Sequence, residues 1–480
     1  MSDKSKFFDY EPITPSRDNK RLKKEGLEGT TPSGVSAHRS LPSFPGDLPG
    51  VTKEVPREDV HLHQRTKTPA AHEGATFEWV RLSPFLKRGH ALSFAGVLLF
   101  TLILYFRPYE FSPSLAWLSS SAFWIAILTI AIFIPMQLGL EGNLTARPRE
   151  VNLVLLLTLA AFISIPFALS PATAWDSFTD YLKVVMIFVV MINVLRTEKR
   201  LKALVMVALA ASCFLSLAAL NDYRLGHLAL AGTRISGTIG GMFANPNDLA
   251  LHLVTMTPLA IGLLLATRSI LMKLVYALSA CLSVLAIVAT FSRGGVLGLA
   301  ATGLVLVFKL APKLRILAIV LFVLLMLAAL AVAPGAFRER LFDTRDASVV
   351  NRTDDLKRSI FLAIRHPLAG VGMGNFVLYS NQAKATHNAY TQVASELGLA
   401  GFAFYVMFLV SPLKRLRRIE NEYLSVKKKP RLYYLVIGLQ AALIGYMVSS
   451  FFASVAFLWY AYYLVAYAIA LRRIHEALQT

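Results

Sequence analysis

The feature that most constrains this chain is a succession of long apolar segments running from Ala91 almost to the C-terminus, separated by short polar connections. A helix needs about 20 apolar residues to cross a bilayer. Twelve segments approach that length, at 91–107, 115–139, 151–169, 178–195, 201–220, 248–267, 271–291, 295–309, 314–334, 388–410, 432–451 and 453–471. Lipid cannot satisfy exposed backbone groups, so helices are the expected form. The charged fraction of 16% falls well below the ~25% of a soluble domain. The expected fold class is therefore all-α, a polytopic integral membrane protein of about 12 transmembrane helices. A disordered protein, a secreted disulfide scaffold and an ordinary soluble enzyme are excluded on the same grounds.

The net charge of +20 would suit a nucleic-acid binder, but its distribution argues otherwise. Residues 1–80 hold 12 basic and 12 acidic residues, and the remaining 400 carry the whole excess between apolar runs. That placement belongs to membrane topology and an anionic substrate, and no nucleic-acid partner is expected. Residues 1–80 are polar and lack apolar periodicity, which predicts a disordered cytoplasmic tail. His61 and His63 within it have no third ligand nearby. The first apolar run begins too late for a cleaved leader. Cys213 and Cys281 lie in separate apolar runs and read as small buried hydrophobes.

Orientation follows from Lys and Arg. With the N-terminus in the cytoplasm, the inside connections carry 24 basic residues. The short outside loops carry four, Arg107, Arg224, Arg234 and Arg293, and a long outside loop at 335–386 carries eight. This positive-inside contrast supports an even helix count with both termini cytoplasmic. The membrane domain spans 91–473, with the 335–386 loop inside it.

The four cations in short outside loops run against that bias. Arg107 and Arg224 fit side chains snorkelling to the head groups. Arg234 sits in the Gly-rich loop GTRISGTIGGMFANPNDLAL, residues 232–251. A tight turn with a helix cap accounts for Asn245, Pro246, Asn247 and Asp248 but not for the arginine. Arg293 sits in TFSRGGVLGL between two helices with almost no loop. Either it snorkels, or it forms an anion site with the helix start at Gly294 and Gly295. The long loop contains NRTDDLKRSIFLAIRHPLAGVGMGNF, residues 351–376, in which Leu356, Ile360, Phe361 and Ile364 recur at helical spacing. This predicts an amphipathic helix on the membrane surface. KATHNAYTQVASELGLAGF, residues 384–402, places His387 where the loop enters a helix. A lone His is commonly structural, but a neutral imidazole there can accept a proton from an attacking hydroxyl. Tyr390 and Thr391 are expected on the same helix face as His387. Glu396 lies deeper and on the opposite face, with Lys183 a possible partner.

These motifs, in this order and on this topology, resemble the O-antigen ligase/polymerase family of bacterial envelope glycosyltransferases over roughly 91–473. They are the Arg-bearing Gly loop ending in PND, SRGG at a helix junction, HPLAGVGMGNF, and HN-x9-G-x-x-G at 387–401. The chain departs from the family pattern at Phe402, where a second Gly is frequent, and at Leu356, where an aromatic residue is common. The resemblance implies a GT-C-like glycosyltransferase architecture in the bacterial inner membrane, with a periplasmic active site. It implies that Arg234 and Arg293 bind the diphosphate of a polyprenyl-diphosphate-linked glycan donor and that His387 acts on a hydroxyl acceptor, which is lipid A-core, polysaccharide or protein. Arg352, Asn245, Asn247 and Tyr390 are further candidates for substrate binding. No metal site and no cofactor are expected; two arginines would stabilise the leaving diphosphate, and a single displacement would invert the anomeric centre. The alternatives are a protein O-oligosaccharyltransferase and a twelve-helix polysaccharide transporter or flippase.

Overall fold

The computed structural model describes residues 84–110, 113–226, 243, 245–309, 347–380, 384–426 and 429–479, with a few isolated positions between 315 and 323. The expected tail at 1–80, Arg234 and most of the 314–334 run lie outside the described residues.

Among the described residues the regular structure is helical throughout. The principal helices are α1 (Pro84–Phe106), α2 (Ser121–Glu141), α3 (Arg149–Ser164), α4 (Pro171–Val194), α5 (Glu198–Leu225), α6 (Pro246–Ala266), α7 (Ile270–Ala289), α8 (Arg293–Lys309), α9 (Ala347–Arg365), α10 (Ala389–Leu424), α11 (Arg431–Ser449) and α12 (Trp459–Glu476). Nine helices among the described residues are long and apolar enough to cross a membrane. They correspond to nine of the twelve expected runs. Of the others, 295–309 forms the 17-residue α8 and 453–471 overlaps the 18-residue α12.

Close approach of the helices rests on small residues, as is usual where lipid supplies no hydrophobic drive between them. A Cβ on Gly262 would lie 2.8 Å from the Tyr434 carbonyl oxygen, and one on Gly438 would lie 2.6 Å from that of Pro258, so α6 and α11 touch almost backbone to backbone. α6 and α12 are buried along most of their length and form the centre. α2 stays peripheral, with Trp124 and Leu128 exposed as a lipid-facing helix requires. Cys281 is likewise exposed on α7, not buried as its apolar surroundings suggested.

The helices alternate in direction, so the bundle has two ends. One end gathers the starts of α2, α4, α6, α8, α10 and α12. The other, richer in Lys and Arg, gathers the starts of α3, α5, α7 and α11.

Candidate functional site

The site builds up at the first of these ends, from three helix starts and the connection between α11 and α12. Asn245 caps α6: its side-chain oxygen accepts the Asn247 N–H at 2.9 Å, and Pro246 occupies the first turn, where its missing N–H costs nothing. The predicted cap is thus present. Asn247 has a second task, because its Oδ1 accepts the Ser292 hydroxyl at 2.9 Å. Ser292 Oγ in turn accepts the Gly295 N–H at 3.1 Å, capping α8. The PND and SRGG motifs are therefore a single hydrogen-bonded unit although 45 residues separate Asn247 from Ser292.

This arrangement gives the two glycines a packing role as well. The Gly295 N–H is taken up by the cap instead of facing a ligand. A Cβ on Gly294 would lie 2.6 Å from Phe452 Cβ, and one on Gly295 would lie 2.6 Å from Ala250 Cβ. Both glycines let α8 begin in contact with α6 and with the α11–α12 connection. Phe291, just before the cap, has φ +50°, a conformation that a bulky residue adopts only under constraint from its surroundings. Arg293 follows as the first residue of α8 and is half-buried.

The third start is that of α10. Asn388 caps it, its Oδ1 accepting the N–H groups of Tyr390 at 2.9 Å and Thr391 at 3.1 Å. His387 therefore precedes the helix. It has φ +53°, so it does not share a helix face with Tyr390 and Thr391 as the sequence suggested. Its N–H donates to Ser454 Oγ at 2.8 Å, and Thr386 Oγ1 lies 3.1 Å from the same hydroxyl. The imidazole is half-buried. Tyr390 donates its hydroxyl to the Met447 carbonyl at 2.8 Å and stacks on Phe451 with ring centroids 4.5 Å apart. The segment 447–454 thus borders both Arg293, through its neighbour Gly294, and His387. Sequence gave no hint of Ser454; its partner is 67 residues away.

Arg107 departs from its expected place at the head groups. It is fully buried at the end of α1, with φ +44°. Its Nε donates to Glu110 at 2.6 Å, and its guanidinium lies 5.2 Å from the Tyr109 ring centroid. Arg107, Phe291 and His387 are the non-glycine residues with positive φ among the described residues, and all three lie at this end.

The long loop contributes α9. Its inner face is Asp355, Ser359, Leu362 and Ala363, while Ile360, Phe361 and Ile364 are exposed beside Lys357, Arg358 and Arg365. The helix is present where the sequence placed it, and Ile360, Phe361 and Ile364 lie on its exposed side. Arg352 is half-buried in the same helix. A cavity of about 520 Å³ is lined by Asp354, Lys357, Arg358, Phe361, Leu362 and Tyr379. Burial raises the Asp355 carboxyl above its ordinary value, opposed by a hydrogen bond from Ser380 Oγ at 3.0 Å. Lys183 pairs with Asp180 at 2.5 Å and is not the partner of Glu396. Among the described residues no group of three or more His, Cys, Asp or Glu is disposed to hold a metal.

Residues 278–406 match a family model described as O-Antigen ligase. The match includes Arg293, Arg352, Tyr390 and His387 and supports assignment to the O-antigen ligase/polymerase family. No curated protein matches the chain.

Proposed function

We propose that this chain acts as an O-antigen ligase or polymerase, transferring glycan from a polyprenyl diphosphate carrier to an acceptor hydroxyl at the outer face of the bacterial inner membrane, with both chain termini in the cytoplasm. The observation that carries the reading is the shared border. Arg293 and His387 both lie within the matched residues, and the helix starts that carry them both rest on segment 447–454.

Beyond the membrane no nucleotide sugar is at hand, so the donor must arrive already activated. A diphosphate is a good leaving group. Arg293, joined by Arg234, binds its charge and stabilises the further negative charge that develops as the C–O bond breaks. His387 takes the acceptor proton, and one displacement inverts the anomeric carbon. Asn245, Asn247 and Tyr390 act chiefly by holding the three helix starts, since their hydrogen bonds are made within the protein. Arg352 is a further candidate for substrate binding.

The test is transfer in proteoliposomes supplied with polyprenyl-diphosphate glycan and, in parallel, lipid A-core, free polysaccharide and a Ser/Thr peptide. Covalent transfer to one of these supports the reading and identifies the acceptor. Movement of unaltered glycan across the bilayer would replace it with a transporter.

A further inference from the structure

α10 is broken at Gly398, whose φ +74° and ψ −176° are far from helical values. The chain that follows α9 is tied to α10 on both sides of this break. Val371 N–H donates to the Ser395 carbonyl at 2.8 Å, Gly372 N–H to the Glu396 carbonyl at 3.0 Å, and Leu399 N–H to the Pro367 carbonyl at 2.8 Å. A Cβ on Gly398 would lie 2.6 Å from the Pro367 oxygen, so the contact is backbone on backbone. The end of α9 is therefore held at the level of the break. That level can be read along α10. At 1.5 Å per residue, Leu399 lies about 22 Å from Lys414, the first of the cations at 414–418. A hydrocarbon core is about 30 Å thick. With Lys414 at one head-group layer, the break lies just beneath the other, and α9 ends at the bilayer surface.

The outward side of α9 suits that level. Phe361, Ile364 and Leu368 are exposed, Leu368 to 88%. Leu399 is exposed as well, and its bond to Pro367 sets it beside Leu368. The apolar strip of α9 thus runs on to the surface of a membrane-spanning helix, where acyl chains cover it. Cations edge the strip. Lys357, Arg358 and Arg365 stand against one exposed carboxylate, Asp354, and the Arg365 guanidinium lies 5.8 Å from the Phe361 ring centroid. Between the cations and the strip lies the cavity of about 520 Å³, a size typical of small-ligand sites. Lys357 and Arg358 line it together with Phe361, Leu362 and Tyr379. Arg358 Nη1 donates to the Tyr379 carbonyl, which fixes the guanidinium in the cavity wall. A guanidinium fork beside an ammonium group matches phosphate oxygens. A soluble anion would use the cations alone and leave the strip bare; a lipid uses both.

We propose that this cavity binds the phosphate head group of an anionic glycerophospholipid from the leaflet at this end of the bundle, with its acyl chains along Phe361, Ile364, Leu368 and Leu399. The bound lipid pins α9 to the bilayer surface and, through the backbone ties at 367–372, pins the broken stretch of α10 with it. The site is separate from the proposed transfer chemistry and requires no assumption about the glycan.

The test is native mass spectrometry of the full chain in detergent, titrated with phosphatidylglycerol and, in parallel, with phosphatidylcholine. Phosphatidylglycerol is expected to bind about 10-fold more tightly or better. Lys357→Ala combined with Arg358→Ala is expected to weaken it about 10- to 30-fold, the scale of two cations at a lipid surface. Arg365→Ala, which flanks the cavity without lining it, is expected to have the smaller effect. Should the Arg358 change prevent folding, Lys357→Ala alone is expected to weaken binding about 5-fold. A second arm places an environment-sensitive fluorophore on Leu368→Cys in a chain with Cys213 and Cys281 replaced by Ser. In vesicles of phosphatidylglycerol and phosphatidylcholine with brominated acyl chains, strong quenching is expected. Equal affinity for the two lipids, or an Arg365→Ala loss as large as that of the double variant, would overturn the site in favour of general surface charge. Displacement of bound phosphatidylglycerol by an equal concentration of inorganic phosphate would reassign it to a soluble anion. An unquenched label at 368 would place α9 away from the bilayer and overturn the proposal outright.

Discussion

The two ends of the bundle handle polar groups in opposite ways. At the basic end the chain answers its own charges. Glu150 is 1% exposed and receives the Ser411 hydroxyl at 2.8 Å, with Arg415 and Arg472 each 3.6 Å away. Glu420 pairs with Lys309 and accepts from Gln440 at 2.9 Å. Arg196 pairs with Glu141 and donates to Gln137 at 3.2 Å. These networks join helix ends distant in sequence, and a buried pair of this kind is disrupted at considerable cost when one partner is removed. At the opposite end, neutral Asn, Ser, Tyr and backbone groups hold the helix starts, and all three non-glycine positive-φ residues of the described chain are found there. Backbone strain persists only where the surroundings enforce it, and it gathers at functional positions. Under the proposed function, the comparison separates charge that staples the fold from charge that would meet a substrate. Arg107, paired with Glu110, is held in the same manner at the site end.

The sharpest way to break the comparison is to remove one group from each end. Arg293→Ala is expected to lower transfer by about 10³-fold or more, and Arg293→Lys to recover only a fraction because the guanidinium fork is lost. Initial rates in proteoliposomes at matched protein levels check this. His387→Ala is expected to cost roughly 10²–10⁴ in kcat; a purified variant turning over at the wild-type rate would remove the base. Asn388→Ala deletes the α10 cap, which is worth about 1 kcal/mol, and is expected to lower both thermal stability and kcat modestly. Glu150→Gln at the basic end is expected to lower the unfolding temperature in detergent while leaving kcat of the folded fraction unaltered. A catalytic defect in that variant exceeding its loss of folded protein would erase the division between the ends.

Much of the fold was legible because membrane spans are written in long apolar runs whose periodicity needs no tertiary information. Nine runs recur as spans among the described residues. The site was legible in part. The Asn245 cap, the helix start at Arg293 and the loop-to-helix entry at His387 follow from local sequence. What escaped was non-local. Nothing in the sequence pairs Asn247 with Ser292, His387 with Ser454, or Glu396 with the loop at 371–376, because each contact is set by how distant helices pack. The packing role of the SRGG glycines was hidden for a related reason: they approach Ala250 and Phe452 closely, and that surface exists only in the folded bundle. His387 was expected on a helical face and instead precedes the cap in a left-handed conformation, a backbone state His tolerates better than most residues.

The most direct measurement of the central claim is single-turnover transfer of labelled glycan from polyprenyl diphosphate in proteoliposomes, comparing the wild-type chain with Arg293→Ala and His387→Ala. Covalently extended acceptor from the wild type, with severe loss in both variants and intact folding by exchange, is the predicted result. Equal transfer by all three proteins, or labelled glycan crossing the bilayer without a new bond, would contradict it.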